Sequence, residues 1–560
     1  MKNKKLKLSV VIPISAIYVA AAVFVYFSPV ITMMGRNVEL NGKFFWALFT
    51  AATIGVIITT LFFEKVYKPY FILPALGVFS FLLFIWYNIV ITWDSAHYLS
   101  YLPIINGEVP MDYWDVVRGP TFPLYLWFTT SIFGYNAYAV LIVQYVVYAA
   151  TLVLYYLIAN KVLMLDTNNK KLTTGILIYA FVGLCPLFFG YYHVMLTEHL
   201  ATFLVAALVY FSIVYYSNSK LSRINWKYRV SLVTIISLFP ILYFLKQNYL
   251  MFNVGAVLAI LFMSIVQKQG LKRITRPVRL LIYSIIVTVI SITVWNQILP
   301  DASDDNYYMV GRRSERLFIG IFTPQTDFIK YSAANDSDMR VSFYTLDGEL
   351  IDEYIVEGVT CTSELSLNDA LSVFFRNITR QPLSVIRGVT DSYLTSINFY
   401  GGDTYLTWSI SREPSMIRAN ENGAIGYAVF STPSFIHSFF PEMIELAEPF
   451  DQVKSAGPII TGYFKVTQKP ANFMFTLGFL LLPFVWVTSI VMLILLKDSV
   501  SFIISFISST TSLGYQLLNS VSQSFIDRYN FPVFIIAWIA VLALGFGIYK
   551  VIYKRRKKIC

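Results

Sequence analysis

Long apolar runs, each close to the ~20 residues needed to cross a hydrocarbon core, limit what this chain can fold into more than any other feature. In hydrocarbon every backbone N–H and C=O must be satisfied without water, so runs of this length read as helices. About twelve spans are expected, near residues 8–33, 44–63, 71–92, 136–160, 172–192, 199–217, 229–246, 250–267, 279–299, 471–496, 499–515 and 530–550. Composition agrees. Of 560 residues 57% are hydrophobic and only 13% charged, where a soluble chain carries ~25% charge. The expected fold class is an all-α polytopic membrane protein.

Net charge is +11. In a soluble protein that would point to nucleic acid. Here the basic residues fall on alternate connections, as cytoplasmic loops require, so no nucleic-acid partner is expected and membrane lipids are. Lys2, Lys4, Lys5 and Lys7 precede the first span, Lys65 and Lys68 follow the second, and Lys161, Lys170 and Lys171 follow the fourth. Lys220, Arg223, Lys227 and Arg229 follow the sixth, and Lys268, Lys272, Arg273, Arg276 and Arg279 follow the eighth. Lys550 and Lys554 to Lys558 close the chain. All lie on one side if both termini are cytoplasmic, and twelve spans satisfy that. The N-terminal run is longer than a signal-peptide core and lacks a small-x-small cleavage site, so it reads as a retained helix.

Residues 300–470 are too long and too polar to be membrane, and they hold 22 of the 32 carboxylates. Within them "MRVSFYTLDGELIDEYIVEG" alternates around Asp347-Gly348 as a strand pair does. The expected organisation is an N-terminal helical hairpin over 1–70, a transmembrane module over 71–299 with its first outer loop at 93–135, an inserted mixed α/β extracytoplasmic domain over 300–470, and C-terminal transmembrane helices over 471–560. Cys185, Cys361 and Cys560 fit no disulfide, zinc or redox spacing.

The outer loop "WDSAHYLSYLPIINGEVPMDYWDVVRGPTFPLY" holds four of the ten remaining carboxylates, Asp94, Glu108, Asp112 and Asp115. Charge in hydrocarbon costs a few kcal/mol or more, so acids gathered just outside a span mark a polar site at the boundary. Asp94, partly desolvated there, could accept a proton from a hydroxyl nucleophile; an ordinary helix-flanking acid is the plainer alternative. His97 and Tyr98 lie one helical turn on and could hold a polar ligand or anchor the interface. Arg118 offers a fixed fork of donors suited to phosphate, against headgroup snorkelling as the alternative. Glu198 opens a later span, favoured there by the helix dipole or turned to a sugar. His193 and His199 flank it without the tight spacing of a metal site, so no metal ligand is assigned. Arg312, Arg313 and Arg316 could bind phosphate or headgroups, with solvated side chains the commoner case, and sequons at Asn335 and Asn377 matter only in a eukaryotic secretory setting.

The order "WDSAHY", "RGPTFPLYLWFTTSIFGYNAYAVLIVQ", "YYHVMLTEHLATFLVAALVYF" resembles the GT-C superfamily of integral-membrane glycosyltransferases, in the branch of the protein O-mannosyltransferases and lipid A aminoarabinose transferases. "FLKQNYL" and "DRYNFPVFIIAW" are similar to that family's later elements. The resemblance covers residues 70–250 and, more loosely, the last helices. It implies a GT-C-like fold with Asp94 as catalytic base, Arg118, Lys246 and Arg528 as binders of the donor phosphate, and His97, Tyr98 and Glu198 as substrate contacts. The reaction it implies is inverting hexosyl or pentosyl transfer from a polyprenyl-phosphate-linked sugar to an acceptor hydroxyl on a glycan, lipid or protein, at the outer face of a cell membrane. The chain departs from the family in four ways, the first being two extra spans before the outer loop. Asp94 is followed by Ser95 rather than a second acid, the loop prolines are split as Pro120 and Pro123, and the outer domain precedes the last three helices.

No phosphate-binding or dinucleotide glycine motif is present, which favours a lipid-linked over a nucleotide-linked donor. The residues indicate no cofactor, and a divalent metal stays open. Two alternatives remain: a transporter or flippase of lipid-linked sugars, and a membrane polysaccharide polymerase.

Overall fold

A computed structural model describes residues 93–111, 119–165, 167–219, 225–267, 271–298, 329–344, 348–359, 366–380, 382–397, 458–496, 500–521 and 530–559, with 114, 446, 448–450 and part of 76–91. The expected spans at 8–33 and 44–63, and the side chains of Asp112, Asp115, Arg118, Arg312, Arg313, Arg316 and Arg528, lie outside these residues.

The chain is mostly helical. Two short helices, α1 (Trp93–Leu99) and α2 (Tyr101–Ile105), lead to α3 (Thr121–Phe133) and the long α4 (Ala137–Leu163). Then come α5 (Asn168–Ile178), a π turn (Tyr179–Gly183), α6 (Pro186–Tyr191), α7 (Thr197–Ser219), α8 (Trp226–Leu245), α9 (Leu250–Val266) and α10 (Leu271–Ile298). A small sheet follows, β1 (Ile329–Ala333), β2 (Met339–Tyr344) and β3 (Leu350–Val356), then α11 (Leu367–Arg380) and α12 (Pro382–Ser396). The chain ends with α13 (Pro458–Leu496), α14 (Val500–Val521) and α15 (Phe531–Ile559).

Among the described residues seven helices are long and apolar enough to cross a membrane: α4, α7, α8, α9 with its leading turn, α10, α13 and α15. Each coincides with an expected span. Polar residues set their starts. Asn136 accepts the Ala139 N–H at 3.0 Å to cap α4, and Asn225 accepts the Tyr228 N–H at 2.9 Å to cap α8. Large apolar side chains are left exposed on these helices, such as Val233, Val289, Phe484 and Leu542, as a lipid-facing surface requires.

Two expected spans differ. The run at 172–192 is not one helix: α5 widens into a π turn, breaks at Leu184–Cys185, and restarts at Pro186. Pro186 has no N–H to give to a helix interior but suits a first turn, and Cys185 before it is extended. The run at 499–515 is helical as α14, but Ser501, Ser505, Ser508, Ser509, Thr511, Ser512 and Gln516 make it too polar to qualify as a span by composition. Those side chains are buried among the other helices. α13 begins at Pro458, so helix crosses the expected domain edge at 470.

β2 and β3 form the expected strand pair, antiparallel, with Gly348 at φ +84° in the turn. β1 adds on the other side of β2. Met339, Val341 and Phe343 point inward from β2 and pack with Val356, Ala370 and Val373 in a core separate from the bundle's. α12 differs in its attachments: its last turn is fastened to the bundle, with the Tyr393 hydroxyl donating to Phe479 O at 2.7 Å.

α7 and α8 run antiparallel and α4 ends beside the end of α7, and this sorts the charges. Lys161, Lys227, Arg229 and Arg276 stand where α4 ends, α7 ends, and α8 and α10 begin. Arg276 donates to Ser219 O at 2.5 Å and lies over the Tyr228 ring, while Lys161 lies over Tyr210. Asp94, Glu198 and Lys246 belong to the opposite end, where α7 starts and α8 finishes.

Candidate functional site

Ser95, immediately after Asp94, is fully buried and its hydroxyl donates to Met195 O at 2.7 Å. Met195 lies in the turn that follows the broken helix and leads into α7, three residues before Glu198. One hydrogen bond therefore ties the helix carrying Asp94 to the helix start carrying Glu198. Gln144 of α4 binds the same turn through Val194 O at 3.1 Å.

Asp94 is half-buried in the first turn of α1. Glu198 is 2% exposed in the first turn of α7, and Thr197 Oγ1 donates to its Oε2 at 3.3 Å. Both carboxylates thus sit where unpaired helix N–H groups favour negative charge. Tyr98 is buried edge-on against Phe122 of α3, with ring centroids 4.7 Å apart. Phe122 in turn stands edge-on to His199 at 5.8 Å. His97 faces its own segment: its Nε2 meets the Tyr101 hydroxyl at 2.9 Å and the two rings stack. Tyr101 continues to Trp114, and Trp114 to Trp295 of α10. An aromatic wall from α1 to α10 therefore closes one flank.

Lys246 caps the C-terminal end of α8, giving its N–H to Leu242 O, with its ammonium 5.7 Å from the Tyr249 ring centre. A cation there is favoured by the helix dipole. Arg118 itself lies outside the described residues, but Gly119 is described, and it lies against the backbone of Phe244 so closely that a Cβ would overlap the Phe244 carbonyl. Thr121 fastens the same segment to Ile241 O at 3.2 Å. The segment that follows Arg118 is thus brought to the end of α8, which Lys246 caps. Arg528 also lies outside the described residues, two positions before Asn530 at the start of α15.

The sequence reading missed a polar aromatic nest behind Glu198. His199 is fully buried, with Nε2 at 3.3 Å from the Tyr125 hydroxyl and Nδ1 without a hydrogen-bond partner. Tyr192 stands beside it and shares a 2.7 Å hydrogen bond with Thr151 of α4. The only signal for it is a histidine directly after Glu198, at a helix start, with Tyr125 in the "PLY" of α3. His193 has a structural place instead: its ring nitrogens meet Phe189 O and Phe84 O, each at 2.8 Å, and its ring packs on Phe84 and Phe189. Among the described residues no group of three His, Cys, Asp or Glu side chains could hold a metal ion.

At the rim, the Tyr135 hydroxyl donates to Leu446 O at 2.7 Å and burial pushes its phenol well above the ordinary range. Glu108 accepts from Asn106, whose side-chain oxygen accepts from the Trp127 indole at 2.9 Å, so this part of the loop is pinned to α3.

The arrangement offers a half-buried carboxylate, a buried second carboxylate and a lysine at one end of a helix bundle, walled by aromatics. No family model, no curated protein and no solved structure matches the chain.

Proposed function

We propose that the chain is an integral-membrane glycosyltransferase that moves a sugar from a polyprenyl-phosphate donor to an acceptor hydroxyl at the extracytoplasmic face. The observation that carries this reading is the Ser95–Met195 hydrogen bond, which gathers Asp94 and the Glu198 helix start at one boundary of the bundle. Asp94 would take the proton of the acceptor hydroxyl as that oxygen attacks the anomeric carbon, with inversion. Negative charge then develops on the departing lipid phosphate. Lys246, and the arginines at 118 and 528, would stabilise it; fixed cations aimed at developing charge supply several kcal/mol. Glu198 and the His199–Tyr125 pair would hold the sugar hydroxyls. The aromatic wall of Tyr101, Trp114 and Trp295 would offer apolar surface to sugar or lipid. The test is single-turnover transfer from polyprenyl-phosphate sugars of defined chain length, wild type against Asp94→Asn.

One observation favours the transporter reading. The helix around Pro186 is interrupted, and interrupted helices beside a buried acid are a common feature of transporter sites. Reconstituted liposomes separate the two. A flippase moves a labelled polyprenyl-phosphate sugar between leaflets and releases no lipid phosphate, whereas the transferase releases one per sugar moved.

A further inference from the structure

α12 belongs in sequence to the polar segment, yet its last turn is fixed at the level of the membrane. Asn530, the residue before the candidate span Phe531–Tyr553, donates through Nδ2 to Ser396 O at 2.9 Å. The Tyr393 hydroxyl donates to Phe479 O at 2.7 Å, and the Thr476 hydroxyl donates to Ile397 O at 2.9 Å. Thr476 and Phe479 lie inside the candidate span of α13. Phe479 is ten residues past Lys469, which is ~15 Å along a helix. No charged residue follows in α13 before Lys497. The far end of α15 carries Lys550 and Lys554 to Lys558. Basic ends favour the cytoplasm, so the boundary that holds the end of α12 is the outer one.

α12 also packs on α14, which lies between α13 and α15. α14 has 22 residues. At 1.5 Å per residue it is ~33 Å long, close to the ~30 Å of a hydrocarbon core. No part of α14 therefore stands far above the boundary, and neither does the part of α12 laid against it.

α12 has two faces. Ser392 and Ser396 are buried on the side of the bundle. Leu383, Ile386, Thr390 and Leu394 recur at spacings of three and four, share the opposite face, and are exposed. Beside them Arg387 and Asp391 pair with each other at 3.6 Å, so the face carries no net charge. Leu394 follows Tyr393 directly and is 45% exposed at the level that the Tyr393 bond fixes. On α13, Phe473 and Leu480 flank Thr476 and Phe479 in the chain and are exposed as well. A single exposed leucine needs no explanation. Three aliphatic side chains on one helix face, fastened beside the exposed apolar residues of a candidate span, are what a surface in contact with lipid looks like.

We propose that α12 is a membrane-seated helix whose outward face, Leu383, Ile386, Thr390 and Leu394, is covered by phospholipid of the outer leaflet where headgroups meet acyl chains. One residue separates α12 from α11, and α11 supplies Ala370 and Val373 to the core of the sheet. The sheet is held at the membrane surface through this contact. The inference stands apart from the glycosyltransferase reading and needs only that α13 and α15 span.

The experiment uses the full chain, with Cys185, Cys361 and Cys560 replaced by serine, in phosphatidylcholine nanodiscs. Ile386→Cys and Leu394→Cys are each labelled with bimane. The quenchers are phosphatidylcholine bearing a nitroxide high on its acyl chain, and aqueous iodide. Leu480→Cys on α13 is the lipid reference, and Asp336→Cys in the β1–β2 turn is the aqueous one. Both α12 labels are expected to lose fluorescence severalfold in nitroxide lipid, as the label at 480 does and the label at 336 does not. Absence of lipid quenching at either α12 position overturns the proposal. Iodide then identifies what replaces it: quenching by iodide puts the face in water, and protection from both quenchers puts protein over it, a second copy or another segment of the chain. Thr390→Cys, between the two on the same face, takes the place of either variant that does not fold.

Discussion

The hydroxyl of Ser95 and the carbonyl of Met195 meet at 2.7 Å across a hundred residues of sequence. Both residues are fully buried. Removing one partner of a buried pair exposes the other to the full desolvation cost, ~1–3 kcal/mol. Ser95→Ala should therefore lower the unfolding free energy by about that amount, read as a drop in apparent Tm in detergent. It should also free α1 from the start of α7. Transfer should fall by about tenfold or more, because small misplacements of catalytic groups are costly, with donor binding little changed. A Ser95→Ala chain of unchanged Tm and rate would show that the bond positions nothing.

Asp94→Asn keeps the shape of the side chain but cannot take a proton. Positioned general-base catalysis is worth about 10²–10⁴-fold, and single-turnover transfer should fall by that much. Membrane insertion should be normal, since Asp94 is only half-buried. Near-normal transfer would move the base to Glu198.

Gly119 and Phe244 set the distance between the Arg118 loop and the end of α8. A methyl group at 119 would overlap the Phe244 carbonyl, so either α8 or the loop must shift. Overpacking of this kind typically costs about 1–3 kcal/mol. Gly119→Ala should lower apparent Tm and weaken donor binding together. Arg118→Ala should weaken donor binding and leave Tm unchanged, and Arg118→Lys should rescue only in part, because lysine is a point charge without the fork. Equal donor binding in all three would remove this segment from the phosphate site.

These residues also show what could be read ahead of the structure. The spans at 136–160, 199–217, 229–246, 250–267, 279–299, 471–496 and 530–550 were legible because an apolar run of this length has one stable form in hydrocarbon. The β2–β3 hairpin was legible because alternation frames Gly348, whose positive φ a turn requires. The break at Pro186 was not, because its flanks are as apolar as any span and hydropathy does not register a missing N–H. The start of α13 was hidden by Lys465, Gln468 and Lys469, which read as aqueous although helix runs through them. Within the site, Asp94, Glu198 and Lys246 stood out as rare charges beside apolar runs. The bond from Ser95 to a backbone carbonyl leaves no residue signature at its far end. The His199–Tyr125 pair and the seating of α12 likewise depend on tertiary contacts that no local spacing encodes.

Asp338, in the turn between β1 and β2, gives a pH dependence away from the bundle. Its carboxylate accepts the Gly358 N–H at 2.9 Å and the Asn335 side-chain N–H at 2.7 Å, and these bonds hold its pKa below the ordinary carboxylate value. A depressed folded pKa stabilises the fold above the ordinary range, and that contribution is lost as pH falls through the folded value. Amide exchange at Gly358 should therefore speed up on acidification, beyond the intrinsic trend. Asp338→Asn should exchange faster at neutral pH and lack the acid step. An identical profile in the two proteins would disprove the assignment.

The sorting of charge along the bundle fixes a topology test. Lys161, Lys227, Arg229 and Arg276 gather at one end, and basic loops favour the cytoplasm. The other end, with Asp94, Glu198 and the connection into β1, should face outward. Asp336 is exposed in the β1–β2 turn, and Trp226 is 68% exposed at the start of α8. In a chain whose Cys185, Cys361 and Cys560 are replaced by serine, Asp336→Cys should react with a membrane-impermeant maleimide on intact cells. Trp226→Cys should react only after permeabilisation. The two positions sit on opposite sides of the membrane if α8, α9 and α10 each cross once, since three crossings separate them. The reverse labelling would turn the whole bundle over and put the Asp94 loop in the cytoplasm, where a donor would have to be used from the inner leaflet. Labelling of both from outside would mean that one of those three helices does not span, and the grouping of Lys246 with Asp94 at one surface would fall with it.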